Sequence, residues 1–434
     1  METSEHHITA KVPRVLLPNN YSGKTDWEGL TECRISVAEG KVVSVEATQG
    51  MGGAADFNFK NSILLPGFLD SHTHLDKAHS WNRTPNRSGT FNEALHNLHE
   101  DKDHWSVEDV YQRANYSLEC AYAYGTVALR THVDTGLPWA ERSYKALSRL
   151  KNEWAGRVEL QMASLASVEE YSTGTGAALA DLPANYGAHS IGGMTIMNPK
   201  LDQQLDRMME LAVERGVGLD FHVDENNIES VNCLKSIAEA IIRNAFPNTV
   251  VCGHCCNLAV KPLDEQLATL ELVKRSGLKI VSLPMCNLYL QDRRVEGDAI
   301  QTPYWRGVTL AHEFMELGVP FACASDNVRD SFYAFGDFDM LEVYRESVRI
   351  AHLDRKLQQS ITIATSAPAD LMDLSADGYG VIAPGSPAKF TVLDASSMSE
   401  LLSRPLIKRS LFRDDHLAEF GLPPYSEIGP LSGT

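Results

Sequence analysis

The chain has 434 residues, 39 basic against 57 acidic side chains and a formal net charge of −18. That length accommodates one large barrel domain and a smaller companion. The acidity excludes proteins that track nucleic-acid phosphates or anionic membranes, which need a basic face, and no apolar stretch reaches the roughly 20 residues of a membrane span.

The first sixty residues read as β-rich. Cys33–Val37 and Val42–Val45 alternate around Glu39-Gly40, as a hairpin does, and residues 1–65 are expected to form the N-terminal part of a small β-sandwich. From Leu64 onward, short β-branched runs alternate with amphipathic stretches. Eight runs end near His72, His132, Leu165, Met197, His222, His254, Leu283 and Asp326. Helical patterns between them include Val107–Tyr124, Gln203–Arg215, Ile228–Asn244, Glu265–Ser276 and Arg306–Leu317. This alternation predicts an α/β fold, a (β/α)8 TIM-type barrel over residues 66–375, with its chemistry at the C-terminal strand ends. The tail returns to β character at Gly380–Asp394. Residues 376–434 are therefore expected to complete the β-sandwich, built from both chain ends.

The eight cysteines lie scattered through apparent strands and helices, without a disulfide framework. Met1–Pro13 has no apolar leader core. The expected setting is the reducing cytoplasm. Cys252, Cys255 and Cys256 flank His254 but lack a second pair at zinc-ribbon spacing, so they read as small core residues.

The first apolar barrel run ends in Leu69-Asp70-Ser71-His72-Thr73-His74. Residues i and i+2 share a strand face, so His72 and His74 can present two imidazoles to one metal ion. His222 ends another run, with Glu225 three residues on; His254 and Asp326 end two more. Four strand ends suited to one metal site are improbable as decoration. Each residue has a plainer reading. Glu225 could be a first-turn acid of the next helix, Asp326 a helix N-cap, and Lys77 a solvated side chain or a reach toward a substrate oxygen.

The set His72-x-His74, His222-x-x-Glu225, His254 and Ala324-Ser325-Asp326 resembles the amidohydrolase superfamily, in its cytosine deaminase-like branch. Arg130–Asp134, Asn287–Gln291 and Ser325–Asp330 also match, and the likeness covers about residues 63–340. The resemblance implies that His72, His74, His222 and Asp326 bind one divalent metal ion per chain, zinc or iron. It implies that His254 hydrogen-bonds the activated water and Glu225 shuttles the proton, while Asp326 also accepts the water's proton. His132 matches a position that is not a ligand and reads as structural or supporting.

The implied activity is hydrolytic deamination of a nitrogen heterocycle carrying an N=C–NH2 unit: a cytosine, isocytosine, purine, pterin or triazine-like ring. Ser167, Asn327 and Phe332 stand where glutamine, aspartate and tryptophan are usual, so they are the candidate substrate contacts and the substrate need not be cytosine. Removal of an alkylamine from a triazine-like ring is the neighbouring alternative. A binuclear cyclic-amide hydrolase, with Lys200 carbamylated between two metals, is another; a non-catalytic ligand-binding relative is the non-enzyme alternative. The expected partner is a small heterocycle, with no nucleic acid and no membrane, and the resemblance leaves a homo-oligomer open.

Overall fold

Alternating apolar and polar residues at both chain ends meet in one sheet. In the computed structural model, which describes residues 5–48, 55–136, 139–294, 301–419 and 421–428, the first strands are β1 (His6–Pro13), β2 (Leu30–Ala38), β3 (Lys41–Ala47) and β4 (Phe57–Pro66). β2 and β3 form the expected hairpin: Glu39 and Gly40 both adopt positive φ, +53° and +68°, the geometry that matches strand twist in a two-residue turn. Eight barrel strands follow: β5 (Phe68–Thr73), β6 (Thr126–Asp134), β7 (Glu159–Ser167), β8 (Ser190–Met194), β9 (Gly218–Val223), β10 (Val250–His254), β11 (Lys279–Ser282) and β12 (Phe321–Cys323). The chain closes with β13 (Phe390–Leu393), β14 (Arg409–Arg413) and β15 (His416–Glu419).

The two chain ends share a seven-stranded sheet in the order β15-β14-β13-β4-β1-β2-β3. β13 pairs antiparallel with β4, Phe390 opposite Pro66 and Leu393 opposite Ile63. Ile8, Ala10, Val12, Cys33, Ile35, Val37, Phe390 and Phe412 bury one shared core. This period-2 burial is what an alternating strand pattern dictates. The described residues fall into two compact units, one within Met1–Leu69, Tyr122–Val127 and Met340–Leu422, the other within Asp70–Ala121, Ala128–Asp339 and Pro423–Thr434.

The second sheet runs β12-β11-β10-β9-β8-β7-β6-β5. Its edges meet: Thr73 bridges Asp326 in parallel, and the Asp326 N–H donates to the His72 carbonyl at 2.9 Å. The barrel predicted from the alternation is therefore formed. Its strands are buried on both faces, as in β6, where all nine residues are buried. β8 ends at Met194 rather than near Met197, because Ile196 and Met197 are exposed, at 57% and 39%, and belong to a loop. Within β8, Gly192 lies so close to its neighbours that a Cβ would stand 2.0 Å from the Ser164 carbonyl oxygen.

Helix starts differ from the apolar pattern where polar caps intervene. The helix expected from Ile228 begins at Cys233, because Asn232 accepts from the Lys235 N–H as its N-cap. The stretch Arg306–Leu317 is helical only over Ala311–Glu316. No helix among the described residues is long and apolar enough to cross a membrane. All eight cysteines are buried free thiols, which agrees with Cys252, Cys255 and Cys256 as core residues.

Candidate active site

The strand ends carry the expected residues to one rim. β9 and β10 pair with His222 opposite Gly253 and Val223 opposite His254. The Thr73–Asp326 bridge at the barrel seam brings β5 and the segment after β12 together. His72 Nε2 is 3.6 Å and His74 Nε2 3.2 Å from Asp326 Oδ1, while His222 Nε2 is 3.4 Å from His74 Nε2. Two groups offer ligand atoms within 4.8 Å of one another, His72, His74, His132 and His222 in one and His72, His254 and Asp326 in the other.

These groups fit a divalent cation. Both Asp326 oxygens and both His72 nitrogens are buried with no hydrogen-bond partner, and buried polar atoms left so are costly. Buried imidazoles clustered beside a carboxylate are a donor set that suits zinc or iron. Burial, reinforced by neighbouring charge, pushes His72, His74 and His222 well below the usual imidazole range. They are neutral, the form that binds metal. Burial holds Asp326 up at about 7.

His132 also lies against this group, its ring centroid 4.0 Å from that of His72. Its Nε2 stands 3.1 Å from Asp220 Oδ1, and Asp220 Oδ2 accepts from Arg130 Nη1 at 3.0 Å. His132 thus stands within the histidine cluster, with Asp220 behind it.

Glu225 does not start a helix. The next helix begins at Cys233, where the buried Asp224 carboxylate accepts from the Cys233 and Leu234 N–H groups at 3.1 Å each. Glu225 is thereby left on the strand-to-loop turn, its side chain 15% exposed. Burial and then the Asp326 charge raise its carboxyl well above the ordinary range, which favours the protonated form. Asp326 is not a helix cap either, since its backbone closes the barrel and the next helix begins at Met340.

Asn287 joins the acid to His254. Its Nδ2 donates to Glu225 Oε1 at 3.0 Å and lies 3.1 Å from His254 Nδ1. An amide nitrogen only donates, so His254 Nδ1 accepts and its proton sits on Nε2. That Nε2 is buried without a partner, and burial lowers the ring to about 3, keeping it neutral. Asn287 stands in a stretch that the sequence reading matched without giving it a role; its one signal was its place after the seventh barrel strand. Asn287→Ala should lower kcat by about 10–100-fold, the scale for an orienting outer partner. Steady-state rates on protein with unchanged metal content would check this, and an unaltered kcat would remove Asn287 from the machinery.

His254 and Asp326 adopt φ of +67° and +63°, and Asp224 and Cys255 are positive as well. Left-handed backbone at non-glycine residues costs about 1–3 kcal/mol and collects at functional sites.

The expected substrate contacts divide. Asn327 is buried, donating from Nδ2 to Asp330 Oδ2 at 2.7 Å. Phe332 is 8% exposed, its ring centroid 5.2 Å from Lys77 Nζ. Asp330 Oδ1 accepts from the Phe332 N–H at 2.8 Å and so shapes this loop. Ser167 ends β7 on the tier of Met194 and His222, but its N–H donates to Glu170 Oε1 at 3.3 Å. Among the described contacts it makes none with the histidines. Lys200 is exposed at the start of the helix Leu201–Arg215 and belongs to neither ligand group.

Comparison with known proteins agrees with this geometry. The amidohydrolase family pattern matches residues 128–406. A pterin deaminase of Rhizobium rhizogenes is 40% identical over 428 residues, covering 98% of this chain and 96% of its own. The structure of 5-methylcytosine deaminase from Klebsiella pneumoniae, liganded with 5-fluorocytosine, superposes with a TM-score of 0.82 at 24% identity, covering 97% of this chain and 99% of its own. An adenosine deaminase from Xanthomonas campestris with bound zinc gives a TM-score of 0.66 at 15% identity, covering 98% and 96%. With its histidines and aspartate on a barrel rim and a full-length relative at this identity, the chain belongs to the amidohydrolase family of hydrolytic enzymes.

Proposed function

We propose that the protein is a hydrolytic deaminase of a 2-amino-4-oxopteridine ring, with one divalent ion, zinc or iron, held by His72, His74, His222 and Asp326. The observation that carries the chemistry is a buried Glu225, tied through Asn287 to His254 beside clustered buried histidines and a carboxylate, with burial raising its carboxyl pKa. The substrate class rests on the full-length likeness to a pterin deaminase, and zinc is supported by its presence in the adenosine deaminase structure. Eight buried free thiols support a cytoplasmic setting.

When bound, the ion supplies a Lewis acid that brings the pKa of water toward neutrality. The remaining work falls to the chain. Glu225 donates its proton to the ring nitrogen next to the amine-bearing carbon, which makes that carbon more electrophilic. His254 Nε2–H donates to the oxygen that adds there. Asp326 takes the proton that the water gives up and returns it to the departing amine. The hydroxyl proton of the adduct restores Glu225, so one water is consumed, the exocyclic C–NH2 bond is exchanged for C=O, and one ammonia is released. Phe332 offers a flat apolar wall to the ring, with Asn327 beside it.

The test is ammonia release from pterin, isocytosine, cytosine, guanine and melamine, using protein whose metal content is measured. Pterin is expected to react fastest, with about one metal per chain. Silence on every ring would overturn the reading. So would two metals per chain, or release of an alkylamine from an N-alkyl triazine alone.

A further inference from the structure

The loop leaving β5 carries Lys77, three residues past His74. Its side chain is 5% exposed, so it is not the solvated lysine that a loop position suggests. Nζ donates to Asp134 Oδ1 at 3.0 Å and lies 5.2 Å from the Phe332 ring centroid. Asp134 does not serve Lys77 alone: Lys102 Nζ lies 2.9 Å from its other oxygen, and the Asp134 N–H donates to Asp76 Oδ2 at 2.8 Å. Two ammonium groups therefore share one carboxylate, which two cations hold down at about 2 against the effect of its burial. An ammonium has three N–H donors, and Asp134 accepts one of those on Lys77.

The charge of Lys77 reaches the hydrolytic groups. His74, His222, Glu225, Asp326 and Asp330 all feel it. The ammonium therefore lies near the hydrolytic groups, with the Phe332 ring centroid 5.2 Å away. A lysine that only anchored its loop would direct its donors at loop carbonyls. Here a buried cation, balanced by Asp134, Asp76 and Asp330, donates to Asp134 and keeps further N–H donors beside the Phe332 ring.

We infer that Lys77 is a specificity-determining residue that donates a hydrogen bond to an oxo oxygen on the substrate ring, so that the site selects amino-heterocycles carrying such an oxygen. The inference rests on the deaminase reading above and narrows its substrate class. In a 2-amino-4-oxopteridine, one ring nitrogen separates the amine-bearing carbon from the oxo-bearing carbon. One edge thus presents the amine to the histidine rim and the oxygen to Lys77. A site built around such a hydrogen bond rejects the analogue lacking the group by up to about 10⁴–10⁵-fold, because its own buried donor is left unpaired.

The test compares pterin with 2-aminopteridine, which lacks the oxygen, on metal-loaded full-length protein and on Lys77→Met. Values of kcat/KM are measured for both rings, and Kd by ring fluorescence in a Glu225→Gln background where turnover is slow. The wild-type protein should prefer pterin by at least about 100-fold. Lys77→Met should lose most of that preference by weakening pterin alone. Lys77→Arg, which keeps the charge, serves if the methionine variant does not fold, and should retain part of the preference. Equal loss on both rings, or none on either, would make Lys77 a structural anchor and overturn the inference. Equal handling of both rings by the wild type would do the same. A wild type that neither binds nor turns over either ring would instead bring down the deaminase reading itself.

Discussion

Glu225→Gln should lower kcat by about 10²–10⁴-fold, the usual contribution of a positioned acid, with KM little changed. The substitution keeps the shape of the side chain, and its amide oxygen can still accept from Asn287 Nδ2, which now donates to Glu225 Oε1 at 3.0 Å. What disappears is the transferable proton. The pH profile gives a second check on the same residue. Burial, followed by the Asp326 charge, lifts the Glu225 carboxyl well above its ordinary value. The raised carboxyl keeps its proton to higher pH than an ordinary glutamate, and wild-type activity should fall as pH rises through that raised pKa. The residual activity of the glutamine variant should lack this alkaline limb. Wild-type turnover in Glu225→Gln would sink the proton-shuttle role.

Asp326→Ala should yield protein that retains little metal after dialysis and turns over at background rate. Losing an outer partner of a metal site already costs about 10–100-fold in affinity or activity, and Asp326 would be a direct ligand. The fold should survive, because the barrel seam is made by the Asp326 backbone N–H on the His72 carbonyl, not by its side chain. Asp326 has a φ of +63°, which alanine tolerates poorly. Asp326→Asn, which accepts that backbone more readily, should show the same metal loss with a smaller change in thermal stability. Elemental analysis alongside circular dichroism separates these effects. A variant with native metal content and full activity would remove Asp326 from the ligand set.

The metal candidates were legible in the chain for a simple reason. His72 and His74 are two apart on a strand, and period-2 geometry alone puts them on one face. His222, His254 and Asp326 each end an apolar run, and a parallel barrel carries all such ends to one rim. The hairpin at Glu39-Gly40 was legible in the same way. Substrate-side assignments were harder to read. Asn327 and Phe332 lie together on the loop organised by Asp330, whereas Ser167 is engaged with its own helix turn.

The order of elements and the ligand-bearing strand ends follow from the sequence by itself, because both depend on short-range periodicity that repeats along the chain. Only the tertiary structure decided which polar partner completes each group. Asn287 meets Glu225 across 62 residues, and Lys77 meets Asp134 across 57. It likewise settled that Asp224, and not Glu225, joins the N-cap Asn232 in accepting from the first amides of the helix beginning at Cys233. Such contacts depend on barrel closure and on side-chain direction at the seams between strands. Those are set by the packing of distant segments, and no local pattern encodes them.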